Sequence, residues 1–201
     1  GEHGIWWNHA GVYPATTHVP LVIAWPGAAA ARISAPVEQR SLGRTLLNLA
    51  GLDAPGFEGA DLRSASEGDP ATPRFSIGYY ARSASMDDGR WYLVLHLLEE
   101  ANDEGTHGWA PGEVELFDRA SDPNCAVNVV AEELPRARRM RARLLEWLAS
   151  GDEQGLKGEY HVKAAIDRAL SELGYAGTGE AGARWYDPER GDRFIETYGT
   201  E

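Results

Sequence analysis

The chain has 201 residues, 43% hydrophobic and 25% charged, with a formal net charge of −12; this is an ordinary globular composition, long enough to bury its own core. A surface of that sign is unsuited to general binding of nucleic acid or an anionic membrane, and no apolar run approaches the ~18 residues of a membrane span. The single cysteine, Cys125, excludes an intramolecular disulfide and a cysteine-rich zinc module.

The chain opens Gly1-Glu-His-Gly4, with neither an initiator Met nor a basic-then-apolar leader; it reads as a cut and not a natural beginning. Residues 1–18 hold three of the six histidines, His3, His9 and His18, with Trp6 and Trp7 among them. Such His-, aromatic- and Gly-rich stretches are characteristic of site loops. Val19 to Trp25 is a continuous apolar, β-branched run stopped by Pro26-Gly27. It predicts a strand buried on both faces, and hence an α/β arrangement with helices on each side of a sheet.

Leu42, Leu46 and Leu49 fall at helical spacing, and Gly51 stands where a C-terminal cap belongs, which predicts a short amphipathic helix over 41–50. Residues 53–74 are Gly-, Pro-, Ser- and Asp-rich and read as a loop between subdomains. Phe75 to Ala81 and Trp91 to Leu98 read as strands flanking Asp87-Asp88-Gly89, a hairpin with a loop longer than two residues. Glu113 to Asp118 adds a third strand after the polar loop Asn102 to Gly112. Short connections between successive strands favour an antiparallel sheet. Over 131–149, Leu134, Met140, Leu144, Leu145 and Leu148 form one helical stripe, with the five arginines of 136–143 facing away as a solvated or ion-paired surface. A second helix is expected over about 160–173, from Val162, Ile166, Leu170 and Leu173, and an extended tail over the last stretch. Gly177-Thr-Gly-Glu-Ala-Gly182 matches the three-glycine dinucleotide pattern, but it follows a helix rather than a strand and reads as a linker. There is no Gly-x-Ser-x-Gly elbow to support a serine hydrolase.

Several blocks, in order, resemble the sulfatases of the alkaline-phosphatase-like superfamily. Gly1-Glu-His-Gly4, Trp7-Asn-His-Ala-Gly-Val-Tyr13, His18-Val-Pro-Leu-Val-Ile23 and Pro26-Gly27 are similar to the stretch after that family's metal-binding loop. Thr45-Leu-Leu-Asn-Leu-Ala-Gly51 resembles the following helix, and Asp88-Gly-Arg-Trp-Tyr-Leu93 the Gly-Arg-Tyr-Lys-Leu strand. Glu115-Leu-Phe-Asp118 with Asp122-Pro123 resembles the C-terminal Glu-Leu-Tyr-Asp signature that precedes the terminal helix. The family's Asp-Leu and Pro before Thr45 are replaced here by Ser41-Leu-Gly-Arg44.

The resemblance implies the edge of a large doubly wound sheet, joined to a small C-terminal antiparallel sheet with a packed helix. On that frame residues 1–65 close the large α/β domain, 66–150 form the antiparallel subdomain and its helix, and 151–201 are a helical extension and tail. It also implies hydrolysis of a sulfate ester, free or on a sugar, by a formylglycine nucleophile with calcium holding the sulfate. A hard cation held by carboxylates compensates the oxygen charge, while His and Lys donate to the remaining oxygens. Cys125 is followed by Ala126-Val-Asn-Val129, which does not fit the Cys/Ser-x-Pro/Ala-x-Arg nucleophile motif, so it reads as a plain thiol. Nucleophile and calcium ligands are therefore expected upstream, in the N-terminal remainder of a sulfatase domain, and the chain alone is expected to be inactive.

The resemblance makes His9 the leading catalytic and sulfate-binding candidate, because relatives often carry a sulfate-contacting Lys at that distance before the aromatic, here Tyr13. Its alternative role is a backbone-bonded loop histidine. His3 and His18 are further substrate-side candidates whose alternative role is to orient the loop and the start of the strand. His107, in His107-Gly-Trp109, is a candidate specificity element, and Trp6 and Trp7 either wall a pocket or pack on the sheet. Two alternative functions remain: a phosphonate or phosphodiester hydrolase on the same scaffold, or a non-catalytic interaction module that kept the fold.

Overall fold

The computed structural model describes residues 1–6, 11–53, 57, 59–64, 72–78, 82–101, 107–153 and 191–200. A 3-10 turn, Glu2–Gly4, is followed by the short helices α1, Pro14–Thr17, and α2, Arg40–Leu49. The strands are β1 Arg74–Ile77, β2 Ser83–Asp87, β3 Trp91–His96, β4 Glu100–Ala101, β5 Gly108–Trp109 and β6 Val114–Asp118. Helices α3, Leu134–Glu153, and α4, Arg193–Tyr198, complete the described elements.

The four-stranded sheet runs β1-β2-β3-β6, and every neighbouring pair is antiparallel. Its centre is β3, Trp91-Tyr-Leu-Val-Leu-His96, in which every residue is buried. A strand alternates its side chains, so burial at every position requires cover on both faces. Trp91, Leu93 and Leu95 join Met86, Val114 and Leu116 against Ala137, Met140, Leu144 and Leu148 of α3 and Phe194 of α4. Tyr92, Val94 and Phe117 face the other way, against Val12, Tyr13 and Cys125, with Ile5 alongside. The N-terminal segment is thus the second cover of the sheet. Leu144 has no exposed surface, and its truncation to Ala would cost about 2–5 kcal/mol.

The small antiparallel sheet with its packed helix is as expected, but its strands are placed differently. Phe75 to Ala81 is not one strand leading to the Asp87-Asp88-Gly89 turn. β1 ends at Ile77 and β2 lies between, a strand whose Ser83-Ala-Ser-Met-Asp87 sequence gives little strand signal. The β2–β3 connection, Asp88 to Arg90, is longer than two residues, as expected: the Asp88 amide reaches the Trp91 carbonyl at 3.1 Å, and the Asp88 carboxylate accepts from the amides of Arg90 and Trp91.

Helix α2 ends as the sequence predicts. Gly51 takes φ +70°, the Leu52 amide bonds the Leu47 carbonyl, and the Gly51 amide that of Asn48. This is a Schellman cap, which glycine adopts without a Cβ penalty. The buried face, however, is Ser41 and Thr45, not the leucine stripe; Leu46 is exposed. Thr45 Oγ1 donates to the Ser41 carbonyl and accepts from the Leu62 amide, while Ser41 Oγ accepts from the Ala60 amide. The helix therefore docks by hydrogen bonds to the 59–64 loop.

Val19 to Trp25 is not a buried strand. It has no regular structure, and Val19, Leu21 and Val22 are exposed, Val22 at 94%. The apolar run has strand propensity, but none of the described strands pairs with it, and a lone strand leaves its backbone groups without ladder partners. The expected parallel sheet edge thus has no strand among the described residues.

The arginines of α3 do not all face away. Arg138 donates to the Tyr198 carbonyl at 2.6 Å, Arg141 pairs with Asp192, and Arg136 lies over the Trp91 ring at 4.3 Å. The chain end is helical, not extended: Asp192 caps α4 by accepting from the Ile195 amide, and Phe194 enters the core. The helix expected over 160–173 and the Gly177 to Gly182 linker lie outside the described residues.

Candidate functional site

The N-terminal segment is held on the sheet by its own local geometry. Tyr13 is extended and Pro14 starts α1, where a fixed φ and a missing N–H suit the first turn. Thr16 Oγ1 donates to the Gly11 carbonyl at 2.7 Å, closing the preceding loop. His3 takes φ +58°, a left-handed conformation that histidine tolerates better than most residues. Its ring stacks on Tyr13 with centroids 3.5 Å apart and planes 6° from parallel, and Phe117 meets both rings edge-on. Tyr92, from β3, donates its hydroxyl to the Val12 carbonyl and lies 3.1 Å from the hydroxyls of Thr17 and Ser85.

At the centre of this face lies Glu115 of β6, its side chain 13% exposed. One of its oxygens, Oε2, accepts from the Tyr13 hydroxyl and lies 3.0 Å from His96 Nε2. A carboxylate can only accept, so Nε2 of His96 carries the proton. Burial pushes the Glu115 carboxyl up, but the hydrogen bonds and charge of His96, together with Tyr13 and the charge of His3, outweigh it and hold the group below its ordinary value. Burial lowers His3, partly offset by the charges of Glu115, Glu2 and Asp122 and a hydrogen bond with the Asn124 backbone. The His96 ring in turn stacks on Trp109 of β5 at 4.8 Å, and His107 meets Trp109 edge-on at 4.7 Å.

Of the residues the sequence singles out, His3 lies in this cluster and His107 at its margin, joined through Trp109 and His96. His18 lies at the end of α1 with its side chain exposed, outside the described contacts of the cluster. His9 and Trp7 lie outside the described residues. Trp6 is 55% exposed, with its ring against Gly1. Sequence reasoning missed Glu115 and His96 as site residues. The signal was there for Glu115: in Val114-Glu-Leu-Phe117 strict alternation puts it on the same face as Phe117. Cys125 is fully buried with φ +57°, and burial pushes its thiol up to about 12, so it is not a thiolate at neutral pH.

Among the described residues no group of three or more His, Cys, Asp and Glu side chains is placed to hold a metal ion. The cluster can orient rings and fix the position of a proton.

No protein-family model matches the sequence, and no curated protein matches it. Solved structures do resemble it. One is a candidate sulfatase from Bacteroides fragilis, at 18% identity and a TM-score of 0.42, over 54% of this chain and 24% of that one. A second, solved with its substrate D-glucosamine-2-N,6-O-disulfate, is 20% identical with a TM-score of 0.42, over 61% and 25% of the two chains. A third is a 2-O GAG sulfatase at 15% identity and a TM-score of 0.31, over 73% and 27%. The chain spans about a quarter of the length of each. With TM-scores below 0.5, none of these likenesses decides what this chain does.

Proposed function

We propose that this chain is the C-terminal part of a sulfatase, which hydrolyses sulfate esters with a nucleophile and calcium ligands contributed by chain outside these residues. One observation supports this reading beyond the order of the sequence blocks. Blocks that carry the resemblance, remote in sequence, meet in space: Tyr13 of the first bonds Glu115 of the C-terminal signature, and Tyr92 of the middle block bonds the Val12 carbonyl. Blocks kept for one site are expected to converge in this way. The segment bearing His3, His9 and His18 is then the part of this chain nearest the sulfate, and His9 donates to a sulfate oxygen. In the complete enzyme a calcium ion, held by residues outside this chain, would supply charge compensation at the sulfate oxygens.

The reading predicts that the purified 201-residue chain does not turn over 4-nitrophenyl sulfate with calcium present, whereas a longer protein that includes the preceding reading frame does. Turnover by the chain alone would contradict it. So would a longer protein that cleaves a phosphonate or phosphodiester and no sulfate ester.

A further inference from the structure

We propose that Glu115 is a positioning residue, whose carboxylate holds the histidine-bearing N-terminal segment against the C-terminal sheet through Tyr13. Glu115 is an unexpected residue at its place. It sits in mid-strand on the inward face, opposite Val94 of β3 and two residues before the fully buried Phe117. An apolar side chain there would pack without the cost of taking a charge out of water. What the carboxylate offers is a directed acceptor, which fixes one arrangement where apolar packing would accept several. Its two partners come from different layers, His96 from the sheet itself and Tyr13 from the covering segment. His96 is stacked on Trp109 and opposite Ser83, so the acceptor is held from the sheet side. Tyr13 carries the load on the other side: it stacks on His3, and its carbonyl accepts from the amides of Thr16 and Thr17. Fixing the Tyr13 hydroxyl therefore fixes the His3 ring and the start of α1 together.

That the held segment adjoins a substrate rests on the sulfatase reading; the holding itself does not, and it is measured without substrate. Amide exchange is followed in the full chain for Glu115→Leu, Glu115→Gln and Tyr13→Phe. Glu115→Leu and Tyr13→Phe are each expected to speed exchange at Thr16, Thr17 and His18 by about ten- to a hundredfold, the worth of one hydrogen bond to a charged group, while the β3 amides keep wild-type protection. Glu115→Gln keeps an acceptor oxygen and is expected to restore most of the protection. Wild-type exchange at Thr16 to His18 in the Leu and Phe variants would overturn the proposal. So would an equal loss of protection in β3, or a Gln variant no better than Leu. If Glu115→Leu does not fold, Tyr13→Phe, which removes a single oxygen atom, decides.

Discussion

Glu115 and His3 share a direction of pH response. Both groups sit below their ordinary values in the folded chain. Each therefore contributes stability that is present above its unfolded value and lost as pH falls through its folded one. For His3 the loss begins below the ordinary imidazole value of 6.5; for Glu115 it begins below the ordinary carboxyl value of 4.5. The groups facing His3 are Glu115, Glu2, Asp122 and the Asn124 backbone, so its protonation is partly offset but not cancelled. The N-terminal segment is expected to loosen in two acid steps, read as amide exchange of Thr16 to His18, and His3→Gln is expected to remove the upper step. Protection that stays flat from about pH 7.5 to 5 would contradict this. In the complete enzyme, His9→Ala is expected to lower kcat/KM by about one to two orders of magnitude with little change in melting temperature, since a hydrogen bond to an anion is worth ~1.5–3 kcal/mol. His9→Lys should retain more activity than His9→Ala; equal losses in the two, with lowered melting temperatures, would mark His9 as a structural loop residue.

Among the elements, the terminal helix α4 shows how tertiary contacts make a helix that the sequence does not announce. Six residues are too few to form a helix unaided. Asp192 caps its first turn and pairs with Arg141, Arg138 holds the Tyr198 carbonyl, and the Arg193 amide bonds the Pro111 carbonyl. Gly112 takes φ +79°, and a Cβ there would lie 2.7 Å from the Asp192 Cα. Gly112→Ala is therefore expected to displace 191–200 from α3, exposing Phe194 and destabilising the chain by about 1–3 kcal/mol; an unchanged denaturation midpoint would count against this clasp. The same contrast explains which elements were legible. β3 and β6 carry continuous or alternating apolar patterns, and the α3 stripe is periodic, so the local pattern alone places them. β2 hides behind its two serines, which face Tyr92 and His96 and not a greasy core. α4 and the inward turn of Arg138 and Arg141 depend on partners some fifty to sixty residues away, which no local pattern encodes.

In the molecule as a whole, two covers lie on one small sheet, helices on one face and the N-terminal segment on the other. The histidines and aromatics of residues 1–18 mark a site segment, but nothing in the sequence shows that Glu115 and His96 lie beneath it; the antiparallel register brings those two together. Val19 to Trp25 carries a strand's local pattern, which is the same whether or not a neighbour is present, and no described strand lies beside it. With Val19, Leu21 and Val22 exposed, the purified chain is expected to bind a hydrophobic dye, and Leu21→Ser with Val22→Ser to weaken that signal severalfold. A dye signal that the double substitution leaves untouched would place the apolar surface elsewhere. The most direct test of the central claim is the genomic sequence that precedes the Gly1 codon. The account predicts an open frame encoding a Cys/Ser-x-Pro/Ala-x-Arg motif and an Asp-His pair before Gly1; a frame that lacks the motif would contradict it and leave the interaction module standing.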